Sequence, residues 1–313
     1  MIAASAGGAA LWLLAAVAGP GLGRRLPPAT ATRMLVLTSV VVALSSLLVV
    51  AILAFTWIAQ LPEVVELGPW SAASLRARTP IPVAVAVGAA AAGTAGVTNA
   101  LRLLTHRFLA LREVRRACSG LRHADGLIVV DNDKPDAFST APPAGRIVIT
   151  TGLLRALPPA ERRALLAHET SHLVHGHAWW VIASDIAAAV NPILIPTSRA
   201  VQIGVERWAD EDAAVQTSDR HLVARTVARS ALLIHAAHLR SPTLGASTRA
   251  VPQRVEALLG APPRRRPLPA ALLLALLLAA GGATALVQQH ADDLFDHARL
   301  PVSAHDHNPP VPR

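Results

Sequence analysis

The chain has no tyrosine, one cysteine, one lysine and little charge of either kind. With Cys118 as the sole cysteine, an intrachain disulfide is excluded, and cysteine pairing carries no information about compartment. The net charge is +9, almost all from arginine, since Lys134 is the only lysine. Aromatic residues make up only 3% of the chain and no basic patch is interleaved with them, so nucleic acid is not an expected partner. Charged residues make up only 16% of the 313, against 52% hydrophobic, and mean hydropathy is +0.43. That excess sits in long apolar runs, the pattern of a multi-span membrane protein with lipid as a partner.

Four runs are expected to cross the membrane. The first, about residues 3–19, has no positive charge before it and is followed by Arg24 and Arg25. A secretory signal peptide shows the opposite order, so this reads as a retained span. The second, about 34–58, is uncharged. The third, about 81–101, is rich in alanine and glycine, which suits close helix packing. The fourth is about 268–287. Arginines set an orientation: Arg24, Arg25 and Arg33 follow the first span, Arg102, Arg107, Arg112, Arg115 and Arg116 follow the third, and Arg264, Arg265 and Arg266 precede the fourth. In the 59–80 loop, Arg76 and Arg78 are balanced by Glu63 and Glu66, and the tail begins acidic. The positive-inside rule puts residues 20–33 and 102–267 in the cytoplasm, and the N-terminus, the 59–80 loop and a short 288–313 tail outside. An alanine- and arginine-rich, lysine-poor composition suggests a bacterium of high GC content, and hence its cell membrane.

Between the third and fourth spans the pattern predicts a small α+β domain over 102–267. Residues 102–122 are basic and periodic, a helix leaving the membrane. "LIVV" and "RIVIT" are β-branched runs bounded by Asp, Asn, Pro and Gly, and read as strand, turn, strand. "LPPAERRALLAHETSHLVHGHAWW", 157–180, reads as one helix with Pro159 early and Glu161 in its first turn. Further helices are expected at about 199–217 and 219–239. Trp179 and Trp180 read as interfacial or core aromatics, and His235 and His238 as helix-face residues.

The chemistry concentrates in "HETSH". His168 and His172 are four apart and share a helix face, so two neutral imidazoles can hold one zinc. Glu169 beside them can reach a metal-bound water and act as general base. A third ligand is needed. Histidine at 178, the metzincin solution, is absent because Ala178 stands there. A glutamate on a following helix is the other common solution. "VERWADEDAA" offers Glu206, with Asp210 one turn later and able to hold a zinc histidine's outer N–H. His175 could line the site. The apolar stretch 178–196 holds Asp185, Asn191, Pro192 and Pro196. If it crossed the membrane once, Glu206 would emerge on the side opposite His168. A single span and a His₂Glu site therefore exclude each other, and the stretch is expected to be interfacial, buried or re-entrant.

"HETSHLVHGH" with "ERWADEDAA" resembles the integral-membrane gluzincins of peptidase families M48 and M56, which pair H-E-x-x-H with a downstream E-x-x-x-D. The similarity runs from "PDAF" (135–138) through "GRIVITTGLLRAL" to "QRVEALL" (253–259). Three spans before the domain and one after resemble M56, the family of the BlaR/MecR sensors, and "HGH" resembles M48, where His177 has a counterpart. The M48 pattern has Asn where Asp136 stands. The extracellular sensor domain of M56 sensors is not matched by the short tail, so β-lactam sensing is not expected. The resemblance implies a mainly α membrane protein with a zincin-like metallopeptidase domain and one zinc per chain. It also implies a polypeptide substrate, a cytosolic repressor or a membrane protein under quality control. Asp136, Ala137 and Phe138 would then form the strand that pairs with extended substrate. The rival expectation is a non-enzymatic membrane protein, a signalling partner or transport accessory, with a degenerate metal site.

Overall fold

The computed structural model describes residues 2–79, 81–119, 126–140, 145–238, 250–264 and 266–299. It is mainly helical, with one three-stranded sheet. In chain order the elements are α1 (Ile2–Gly23), α2 (Pro28–Ile58), α3 (Pro62–Val65), α4 (Ala72–Arg78), α5 (Val83–Ser119), β1 (Leu127–Val130), β2 (Ala137–Ser139), β3 (Ile147–Thr150) and α6 (Thr151–Ala156). They continue with α7 (Pro159–Val174), α8 (His177–Val190), α9 (Ile195–Thr217), α10 (Arg220–His238), α11 (Val251–Leu259) and α12 (Pro267–Asp296). Helices α1, α2, α5 and α12 are long and apolar enough to cross a membrane. Each outruns its apolar run. Most markedly, α5 does not break near residue 101 but continues unbroken to Ser119, because no Gly or Pro interrupts "LRLLTHRFLALREVRRACS". Arg265, the side chain of His238 and the tail from residue 300 lie outside the described residues.

The stretch 178–196 forms a helical hairpin. α8 runs in, Asn191 caps a short 3-10 turn (Pro192–Leu194) through its side-chain oxygen, and α9 runs back with Pro196 in its first turn. The tip inserts among the long helices: Ala187, Ala188 and Leu194 share a core with Trp12 and Ala15 of α1, Val42 and Val49 of α2, and Ala280 and Val287 of α12. At its base, Val201 packs with Leu35 and Leu273. Small residues permit this insertion. A Cβ added to Gly96 of α5 would stand 2.6 Å from the carbonyl oxygen of Val190, and one on Gly204 of α9 would stand 2.7 Å from the Thr32 hydroxyl. At the hairpin's polar edge Asp185 accepts hydrogen bonds from Ser198 (2.6 Å), Arg107 (2.7 Å) and Gln202 (3.1 Å), tying α5, α8 and α9 together.

Two local expectations need correction. The helix read over 157–180 is two helices: α7 ends at Val174, and Gly176 takes a left-handed φ of 59° that redirects the chain into α8. The strand, turn, strand stretch also holds a third strand between the two in sequence. β1 and β3 are parallel, and β2 runs antiparallel on the other side of β3, giving the order β1-β3-β2. β3 is buried along its whole length, so it takes the centre. Cys118 of α5 packs with Ile128 and Val148, while Ile149 packs with Leu153 and Leu165. The sheet is thus held between the free end of α5 and helices α6 and α7.

The contact at Gly96 can be tested directly. Gly96→Ala should lower the unfolding midpoint in detergent, a loss of about 1–3 kcal/mol from overpacking against backbone. Gly88→Ala, where a Cβ meets nothing within 4 Å, should leave the midpoint unchanged or raise it slightly. Equal midpoints for the two variants would contradict the close approach of α5 to the hairpin.

Candidate active site

Two helices build the site. On α7, Pro159 at the start and Glu161 in the first turn favour initiation, and His168, Glu169 and His172 fall on the face turned to α9. α9 returns from the hairpin and presents Glu206 and, one turn later, Asp210. Ala164 and Ala167 of α7 pack with Ala213 and Ala214 of α9, Val223 and Ala224 of α10 and Leu258 of α11. These small side chains let the two site helices approach closely.

The tips converge. His168 Nε2 and His172 Nε2 are 3.1 Å apart, and each lies 3.6 Å from a Glu206 carboxylate oxygen. One ligand atom from each residue can be chosen so that all three lie within 4.8 Å of one another. Zinc–nitrogen bonds of about 2.1 Å at a tetrahedral angle place two nitrogens about 3.4 Å apart, so the observed spacing fits with a shift of a few tenths of an ångström. Two imidazoles and a carboxylate form a donor set suited to zinc. The outer nitrogens are also engaged: His168 Nδ1 lies 3.0 Å from Asp210 Oδ1, and His172 Nδ1 lies 2.9 Å from His177 Nδ1.

Arg254 of α11 closes the cluster. Its Nε and Nη2 donate to the two oxygens of Asp210 at 2.8 and 2.7 Å, and its Nη1 lies 2.9 Å from Glu206 Oε2. Burial would raise the Asp210 and Glu206 carboxyls, but Arg254 and His168 outweigh it and hold both below the usual carboxylate range. Burial would likewise lower His168, yet hydrogen bonds and attraction from Asp210 and Glu206 push it up to about 10. His172 has no adjacent carboxylate at its outer nitrogen, and burial takes it down to about 4. The carboxylates thus favour positive charge at His168, a demand that a bound dication would meet.

Glu169 is buried, and that burial pushes its carboxyl above the ordinary value. Ser139, at the end of β2, lines the same cleft as Glu169 and works against that rise. The site opens into a cleft of about 680 Å³, bounded by β2, by Leu111 and Val114 of α5, and by Val223 and Val227 of α10. Asp136, Ala137 and Phe138 lie along its rim. The structure therefore brings together His168, Glu169, His172, Glu206 and Asp210, with the three strand residues beside them. His175 instead pairs with Asp212 at 2.9 Å and stacks on Trp208. Sequence reasoning missed Ser139, His177 and Arg254 as parts of the site. "QRVEALL" contains Arg254, but nothing in its local pattern says that it reaches α9.

Residues 110–205 match Peptidase family M48, a stretch that includes His168, Glu169 and His172 and stops just before Glu206. A protease HtpX homolog of Acidiphilium cryptum is 51% identical over 68 residues, covering 21% of this chain and 24% of its own length. Protease HtpX homolog 1 of Streptomyces coelicolor is 31% identical over 110 residues, 34% of this chain and 36% of its own. Protease HtpX of Legionella pneumophila (strain Philadelphia 1) is 34% identical over 88 residues, 26% of this chain and 31% of its own. The chain thus spans about a quarter to a third of the length of these curated relatives. No solved structure matches it significantly. Over residues 110–205, which hold the α7 motif, the chain is similar to Peptidase family M48.

Proposed function

We propose that the chain is a membrane-embedded, zinc-dependent endopeptidase that cleaves a polypeptide at the cytoplasmic face. The convergence of His168, His172 and Glu206 on one point beside a buried Glu169 carries this reading. The M48 match and relatives named as proteases support it. His168, His172 and Glu206 would hold one zinc, leaving its fourth position for water. A zinc held by these residues would supply Lewis-acid chemistry, making a water more acidic and a substrate carbonyl more electrophilic. Glu169 takes the proton of the attacking water and delivers it to the leaving amine. Its burial favours the neutral form, which suits a group that must both accept and release a proton. Asp210, whose Oδ1 lies 3.0 Å from His168 Nδ1, would accept the Nδ1–H of the metal-binding tautomer, which leaves Nε2 free to bind metal. Arg254 holds Asp210 and Glu206 in place.

The substrate would lie extended along β2. That strand is an edge of the sheet and borders the cleft; Asp136 already bonds Thr150 of β3 through its N–H and C=O, so of Asp136, Ala137 and Phe138 it is Ala137 whose backbone faces away from β3 and can pair with a peptide. The rest of the cleft is largely apolar. The protein would sit in the membrane with 102–267 cytoplasmic, as the arginine distribution supports. The 59–80 loop and the end of α12 would share one side, since Trp70 packs on Leu294 and Phe295. Three long apolar helices before α7 and one after it form the M56-like part of the arrangement.

Two experiments test this. Purified protein should carry about one zinc per chain. Glu169→Gln should keep that zinc and lose proteolysis by about 10²-fold or more, whereas Glu206→Gln should weaken metal binding. Protein free of zinc without chelator treatment would favour a non-enzymatic membrane protein with a degenerate site. Equal metal loss in the two variants would overturn the separate roles of base and ligand. For orientation, reporters inserted after residue 122 and fused to the end of the chain should report opposite sides of the membrane. A shared side would refute the proposed topology.

A further inference from the structure

His177 is the first residue of α8, directly after left-handed Gly176, and that turn folds its ring back under α7. It is 1% exposed. Its ring is 4.8 Å from that of His172 and 4.8 Å from Trp208, and it stacks on His175 at 5.7 Å. Trp208 is in turn covered on one face by the Arg33 guanidinium of α2, 4.7 Å from the ring centre. The imidazole is therefore held in one place by packing. Its Nδ1 lies 2.9 Å from His172 Nδ1, while its Nε2 is buried with no hydrogen-bond partner among the described residues.

Two ring nitrogens 2.9 Å apart hold one proton between them. If His177 Nδ1 carries it, a neutral His172 must carry its own proton on Nε2, the atom that faces His168 and Glu206. The lone pair needed for a metal is then blocked. If His172 Nδ1 carries it, Nε2 is free, and His177 bears its proton on Nε2. We infer that His177 is a positioning residue that fixes the metal-binding tautomer of His172 by accepting a hydrogen bond from its Nδ1–H. The two zinc histidines are then oriented differently: His168 by the Asp210 carboxylate, His172 by a neutral imidazole packed against the stacked pair His175 and Trp208. In this assignment the proton of His177 sits on Nε2, which has no hydrogen-bond partner among the described residues.

This inference rests on the zinc reading of the site, and the test separates the two. Zinc affinity of the full chain in detergent is measured by competition with a chromophoric chelator, for wild type, His177→Phe and His177→Asn. The phenyl ring keeps the packing and removes the acceptor; the Asn side-chain oxygen restores an acceptor near Nδ1. His177→Phe should bind zinc about 10–100-fold more weakly, and His177→Asn should recover most of that loss. In zinc-loaded wild type with ¹⁵N-labelled histidine, His172 should show a protonated Nδ1 and His177 a bare Nδ1. Unchanged affinity in His177→Phe, no recovery in His177→Asn, or a protonated His177 Nδ1 would each overturn the inference. A lower unfolding midpoint with unchanged affinity would assign His177 to packing alone, also overturning it. Wild type that takes up no zinc would overturn the metal reading itself, and this inference with it.

Discussion

Three side-chain tips from two helices meet at one point, and much of the structure follows from that requirement. A metal shared by these tips would need coordination bonds of about 2 Å, which leave no slack, so Glu206 must return to the face of α7 that carries His168 and His172. The apolar chain between them therefore cannot cross a membrane and stay there. It goes in as α8, turns at Asn191–Leu194 and comes back as α9. The hairpin needs a sharp exit from α7, supplied by the positive φ of Gly176. It also needs room between the long helices, supplied by Gly96, Gly204 and the alanines at its tip. The metal-binding geometry and the packing of the membrane helices are thus two ends of one hairpin.

Charge is arranged around the same point. Asp210 is buried and Glu206 half-buried one turn away, and two neighbouring carboxylates with little water between them repel and resist ionisation. Arg254 answers both with three contacts, two of them as a fork on Asp210. Removing one partner from such a buried arrangement leaves a bare charge, commonly a cost of about 3–5 kcal/mol. The same arginine anchors α11. Arg220 of α10 donates to the carbonyls of Ala257 and Leu258 and anchors the other end of that helix. α11 is therefore clamped to the site, although it follows α9 at a distance in the chain.

Local periodicity made much of this legible. Spacing of four put His168 and His172 on one face and Glu206 and Asp210 on another, and length without charge marked the four long helices. The exclusion between a single span and a shared metal site anticipated that 178–196 must not cross, and re-entry was one of the forms left open. What stayed hidden depended on tertiary contact. The break at Gly176 competes with an unbroken helical pattern on both sides. Parallel pairing of β1 with β3 puts β3 at the centre and β2 on the outer edge, an order that short β-branched runs do not encode. Arg254, Ser139 and His177 act across elements, and no spacing along the chain reveals which α7 or α9 atom each will meet.

Zinc K-edge X-ray absorption on the full chain probes the convergence itself. The account predicts a four-coordinate shell with two imidazole nitrogens and two oxygens at about 2.0–2.1 Å, and no sulfur. A sulfur neighbour, fewer than two imidazoles, or a six-oxygen shell would contradict it, because none of these can be built from His168, His172, Glu206 and one water.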